Sequence, residues 1–124
     1  MAGRVSTRRW NDPARHGEGT RILVTRYRPR GVKRVSEPWD EWHPVLGPSV
    51  ALHAAYWGKD QPAIAWAAYA RRYREEMTEA RAAFFIRGLA ARVASGEDVA
   101  LLCSSACTDE ACCHRSILRE LIGG

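Results

Sequence analysis

The chain predicts an α/β fold: one small three-layer domain with a largely parallel sheet and helices on its faces. Three observations carry that expectation. Short β-rich apolar runs stand at residues 21–26 and 98–103, helical periodicity fills most of the interval between them, and a last helical pattern follows the second run. With 124 residues, of which 46% are hydrophobic and 27% charged, the chain has the size and composition of a single globular domain over 1–124.

Residues 4–10 form a weakly alternating first strand, followed by turns at Asn11-Asp12-Pro13 and Gly17-Glu18-Gly19. Residues 21–26, Arg-Ile-Leu-Val-Thr-Arg, have the continuous apolar centre of a strand covered on both faces. The stretch 27–48 is rich in Pro, Gly and charge and reads as a loop, ordered by Trp39 and Trp42. Ser49 caps a helix over 50–57 that Gly58 closes. Asp60-Gln61-Pro62 opens a second helix reaching about residue 78, and Phe85, Ile86, Leu89 and Val93 stripe a third over about 80–94, which Ser95-Gly96 ends. Residues 98–103 form the clearest strand. A polar loop from Ser104 to Cys113 then leads into a helix striped by Ile117, Leu118, Leu121 and Ile122.

The net charge of +5 is uneven. Residues 1–34 hold ten basic side chains against Asp12 and Glu18, a net of +8, so the remainder carries −3. That bias suits a pocket for a small anionic ligand or, second to it, a nucleic-acid surface; a solvated arginine-rich face is the plainest account. No apolar run is long enough to span a membrane, and the N-terminus lacks the apolar core of a secretory signal, which makes the cytoplasm the expected location. Oligomeric state is not encoded legibly.

All four cysteines, Cys103, Cys107, Cys112 and Cys113, fall in one strand–loop–helix passage, the geometry in which open parallel sheets place ligands. A helix starting near His114 turns its free N–H groups toward that loop, which favours a thiolate or a bound anion. Three readings stand side by side. Cys113 or Cys103, with His114, is a catalytic or redox thiol centre. Cys103, Cys107, Cys113 and His114 form a zinc or iron site, although no C-x2-C knuckle is present and adjacent Cys112 and Cys113 do not easily share one ion. In the structural reading, the cysteines pack under the loop and Arg115 pairs with Asp109, Glu110 or Glu120. Neither the C-x5-R pattern of tyrosine phosphatases nor a glycine-rich phosphate loop occurs.

The second concentrated signal is Arg26-Tyr27-Arg28-Pro29-Arg30-Gly31, directly after a strand. If the strands of residues 21–26 and 98–103 lie parallel and adjacent, this loop and residues 103–115 share one crevice. Arg26, Arg30, Gly31, Arg115 and Ser116 then make up the expected ligand-binding set, because a planar guanidinium grips phosphate or carboxylate bidentately. Such a set suits an enzyme and a binding module alike.

These motifs, taken in order, resemble the domain of unknown function 488 family in its short YeaO-like branch. Arg9-Trp10-Asn11-Asp12-Pro13, Arg21-Ile-Leu-Val-Thr-Arg26 through Pro29-Arg30-Gly31, Trp42 with Gly47-Pro48-Ser49, Arg72-Tyr73 with Glu76-Met77, and Leu101-Leu102-Cys103 with Cys113-His114-Arg115 are similar to successive family motifs. Thr25 stands where that family has an aspartate and Arg28 where it has a tryptophan, while Cys107 and Cys112 are additions. The resemblance implies a compact α/β domain with a shared site and supplies no activity.

Overall fold

The computed structural model describes residues 1–123. Four strands, β1 (Val5–Arg9), β2 (Thr20–Leu23), β3 (Glu41–Trp42) and β4 (Val99–Cys103), make one all-parallel sheet in the order β1-β4-β2-β3. The helices are α1 (Val50–Trp57), α2 (Trp66–Glu76), α3 (Ala80–Ala94) and α4 (His114–Ile122). β4 is the centre: Val5 pairs with Val99 on one side and Thr20 with Val99 on the other, and all five of its residues are buried. A fully buried parallel strand needs an unbroken apolar run, which is what Val-Ala-Leu-Leu-Cys supplies.

Alternation along the strands sorts the core. Val5, Ile22, Val24, Val99 and Leu101 face the larger cluster, to which all four helices contribute through Leu52, Tyr69, Tyr73, Leu89, Ile117 and Leu118 among others. Leu23, Ala100 and Leu102 face the other way, against Trp39 with Trp10 and Val32 packed beside it. The layers are thus helices, sheet and a cover of loop side chains. The connections β1 to β2 and β2 to β3 contain no α-helix, so indole rings close that second face instead. Trp10 and Trp39 meet edge to face at 6.1 Å.

Arg21, at the start of β2, is buried rather than solvated. Its guanidinium donates to the carbonyls of Pro38 (2.7 Å), Asp12 (2.9 Å) and Trp10 (3.2 Å) and pairs with Glu18 at 2.5 Å. A charged group is tolerated inside only when paired and hydrogen-bonded, and here those bonds hold the two covering loops together.

The element limits depart from expectation in three places. β2 stops at Leu23, although Val24 still donates to the Leu102 carbonyl at 3.0 Å. The expected loop contains the edge strand β3 and two 3-10 turns, at Arg34–Ser36 and Pro44–Leu46. α2 begins at Trp66, not at Pro62, because the chain turns back after α1: Gly58 takes a left-handed cap, Asp60 has φ 59°, and the Ile64 N–H returns to the Ala55 carbonyl at 3.0 Å. Residues 62–65 therefore lie ahead of the helix they were expected to open.

Candidate functional site

The carboxyl ends of β2 and β4 and the amino end of α4 meet at a crevice of about 940 Å³. Arg26, Tyr27, Arg28, Pro29 and Arg30 line one wall, and Cys103, Ser104, Ser105, Ala106, Cys107, Cys112, Cys113 and His114 another. The two loops singled out in the sequence thus share one cavity. A third wall comes from α1 and the turn after it, with His53, Tyr56, Trp57 and Lys59. No aspartate or glutamate lines the crevice among the described residues.

At its base three thiols touch. Cys113 Sγ lies 3.2 Å from Cys103 Sγ and 3.2 Å from Cys107 Sγ, and His114 Nδ1 is 3.9 Å from both Cys103 and Cys113. Cys103, Cys113 and His114 are buried, and their ligand atoms all fall within 4.8 Å of one another, so these three could hold a metal ion. Cys107 is half-buried. Local structure dictates the cluster: Cys103 ends the central strand, Cys113 is the residue before α4, and His114 opens that helix. Cys112 stands aside; its carbonyl accepts from the Tyr56 hydroxyl at 3.2 Å.

His114 Nε2 reaches the Val24 carbonyl at 2.7 Å, and its ring packs edge-on against Tyr73 at 5.3 Å. A carbonyl can only accept, so Nε2 carries the proton and the lone pair of Nδ1 faces the thiols. Burial lowers the imidazole's pKa and favours this neutral form. Among the thiols, the hydrogen bonds from Cys103 and then Cys113 drive Cys107 down, against the effect of burial. Cys103 is pushed up, first by its bond to Cys107, then by that to Cys113 and by burial. At Cys113 the bond with Cys103 acts downward, but that with Cys107 and burial outweigh it and raise the thiol. A single negative charge shared by the three sulfurs therefore rests best on Cys107.

The expected ligand-binding residues divide. Arg30 is exposed at the crevice rim. Arg26 lines the crevice, yet its Nε donates to the Pro48 carbonyl at 2.9 Å and its Nη2 to Gly47 at 3.3 Å, so it holds the 47–48 turn and contributes charge more than free donors. Gly47 is required at that contact, since a Cβ there would overlap the Arg26 backbone nitrogen. Gly31 takes φ 77° but does not line the crevice, and Ser116 gives its hydroxyl to the Glu110 carbonyl. Arg115 turns away from the crevice altogether and lines a separate pocket. None of the carboxylates expected to pair with it does so: Asp109 accepts from the Ala111 N–H, Glu110 from the Thr7 hydroxyl, and Glu120 pairs with Arg74 at 2.5 Å.

His53, Tyr56, Trp57 and Lys59 line the crevice without having been singled out. Their signal was the clustering of ring-bearing residues at 53, 56 and 57, one face of α1 by helical spacing. The N-terminal arginines considered for polyanion binding are partly committed: Arg8 pairs with Glu18 at 3.0 Å and Arg9 with Asp12 at 3.3 Å.

No helix is long and apolar enough to cross a membrane among the described residues. A family model described as the Active DUF488-N3 subclade matches residues 5–123. The uncharacterized protein YeaO of Escherichia coli (strain K12) is 33% identical over 75 residues, covering 60% of this chain and 63% of YeaO. The chain thus matches less than two thirds of that relative's length. No solved structure matches. Five motifs in family order, a parallel sheet that brings two of them to one crevice, and a match over nearly the whole chain lead to one assignment: this chain belongs to the DUF488 family, in its YeaO-like part.

Proposed function

We propose that the crevice holds a small anionic ligand over a metal centre of the zinc or iron type, with Cys103, Cys113 and His114 as ligands and Cys107 on the crevice side as a fourth. The observation that carries this reading is the orientation of His114. Its Nε2–H is given to the Val24 carbonyl at 2.7 Å, which leaves Nδ1 toward two thiols at 3.9 Å each. A carbonyl behind the imidazole is the usual support of a metal-bound histidine.

Two thiolates and one imidazole are a zinc set that leaves a coordination position open for water or substrate; a third thiolate converts it into the closed Cys3His type. Sulfur ligands also suit iron. Tetrahedral zinc sets its sulfurs about 3.8 Å apart, from a Zn–S distance near 2.3 Å. The Sγ separations of 3.2 Å therefore widen by roughly half an ångström when the ion enters, most easily at Cys107 on its loop. The anionic ligand is favoured by Arg26, Arg30 and Lys59 on walls that carry no carboxylate, while Arg28 is paired with Glu37 at 2.7 Å behind the wall.

A second reading, thiol chemistry without a metal, rests on Cys107 alone: it is the partly open member of the trio, and both buried neighbours direct their thiols to the shared cluster. Elemental analysis and a free-thiol count on protein purified anaerobically without chelator separate the two. About one equivalent of zinc or iron per chain, with Cys103 and Cys113 protected until a chelator is added, supports the metal centre. No metal, together with one thiol alkylating far faster than the rest near pH 7, replaces it with the thiol reading.

A further inference from the structure

Arg115 is the buried charged group that the crevice leaves unexplained. It is 4% exposed, and of its guanidinium only Nη2 finds a protein acceptor, the Cys107 carbonyl at 3.3 Å. Its Nε and Nη1 are buried without a partner. Unpaired buried donors are rare in folded proteins, and those on an obligatory cation are rarer still. The side chain lines a second pocket, of about 390 Å³, on the far side of the cysteine loop from the crevice.

We infer that this pocket is an oxyanion site for a phosphate group, anchored by Arg115 together with Arg8, Arg9 and Arg15. Four guanidiniums against Asp12 and Glu110 give the pocket lining a net charge of +2, matched to a dianion, and Glu18, which holds Arg8 at 3.0 Å from outside the lining, is offset by its second partner Arg21. The two carboxylates are already committed. Asp12 holds Arg9 at 3.3 Å and lies 3.5 Å from Arg8 Nε, and Glu110 accepts the Thr7 hydroxyl. Neither forms an ion pair with Arg115, so that residue keeps its charge and two donors for a ligand from outside the protein.

The guanidinium of Arg15 is unpaired among the described residues and exposed at the pocket, where it can close over a bound group. Thr108 adds a hydroxyl, the kind of neutral donor that completes the tetrahedral coordination of phosphate. Phosphate is favoured over a planar carboxylate because donors come from β1, from the turn after it, from the cysteine loop and from α4, and so surround the pocket rather than face one edge. The site shares no residue with the proposed metal ligands. Arg115 follows His114 in the chain and donates to the Cys107 carbonyl, which links occupancy here to the position of the Cys107 loop.

The test is titration calorimetry of the purified, metal-replete full chain with inorganic phosphate, repeated on Arg15→Ala, Arg115→Gln, the crevice variant Arg30→Ala and, as a control outside both pockets, Arg71→Ala on the exposed side of α2. The expected result is binding that weakens about tenfold or more in Arg15→Ala, disappears in Arg115→Gln and is unchanged in Arg71→Ala, with metal content and thiol count the same throughout. Circular dichroism checks that Arg115→Gln is folded; if it is not, exposed Arg15 decides. Absence of binding to the parent chain overturns the inference. So does phosphate affinity that survives Arg15→Ala but is lost in Arg30→Ala, which would move the anion to the crevice. Because the readout is phosphate affinity, it can fail while the metal centre stands, and the reverse.

Discussion

The carbonyl of Val24 and the Nε2 of His114 are 2.7 Å apart, joining the residue that follows β2 to the first residue of α4. The imidazole is therefore aimed by the sheet and not by the cysteine loop, and it keeps its heading whatever that loop does. Its neutrality is built in, since burial lowers its pKa below the ordinary 6.5.

That neutrality predicts a pH dependence of folding. The unfolded chain takes up the proton at a higher pH than the folded one, so the contribution of His114 is complete above about pH 6.5 and is lost as the pH falls below it. His53, whose pKa is also lowered mainly by burial, adds a change of the same sign. Urea midpoints of the metal-free protein measured from pH 8 to 5 are expected to fall on the acid side, and His114→Gln is expected to remove the larger share of the slope. A flat profile in the parent chain would contradict this.

Glu41 governs a second, more acidic window. Arg92 grips it through two bonds, of 2.9 and 2.7 Å, and chiefly for that reason its carboxyl is held down at about 2. Its folded pKa lies below the unfolded value of 4.5, so its stabilisation is present above pH 4.5 and fades as the pH drops toward 2. Glu41→Gln is expected to lower stability at pH 6 and to flatten the denaturation profile between pH 4.5 and 2, read by thermal unfolding. The pair is partly open to solvent, so the loss at pH 6 is modest.

Tyr73 provides a test of the support behind the site. Its hydroxyl donates to the Leu46 carbonyl at 2.6 Å in full burial, while its ring packs on His114. Tyr73→Phe keeps the ring and leaves the carbonyl without its donor, which is expected to cost about 1–3 kcal/mol in chemical denaturation. Metal content should not change, because the face against His114 is retained.

Gly47→Ala forces a methyl group into the Arg26 backbone at the crevice wall. Overpacking of this kind costs about 1–3 kcal/mol, since backbone on both sides must shift. A lowered melting temperature is expected, together with a change in tryptophan fluorescence if the displacement reaches Trp42, whose Nε1 donates to the neighbouring Thr25 carbonyl at 2.8 Å. A fully native melting curve would show that the turn yields freely.

Much of this was legible in the residues because it is encoded locally. The run at 98–103, the Ser49 and Gly58 caps of α1, the stripe of α3, and the placing of two unusual loops directly after strands all follow from short-range patterns. The burial of Arg21 and Arg115 is illegible there for the opposite reason. A charged side chain is a surface residue by local rule, and only distant carbonyls, or an unmet ligand, make it an interior one. The start of α2 was obscured because Asp60-Gln61-Pro62 satisfies the rules for opening a helix, while the backbone turn that claims those residues depends on packing against α1. The one-sided helical layer is likewise a property of how long the connections are once folded, which periodicity does not record.

The central place of β4 has a consequence for how the chain is made. β1 and β2 leave the ribosome early, yet each pairs along its length with β4, the last of the four strands in chain order, and nothing earlier can stand between them. The sheet cannot close strand by strand during synthesis. Most of the polypeptide must wait, partly helical and with Ile22, Leu23 and Val24 uncovered, until residues 99–103 arrive to zip both neighbours at once. Parallel pairing across so long a stretch is slow to find, so a chain stalled or cleaved before Val99 is a substrate for chaperones and proteases rather than a shorter version of the same protein.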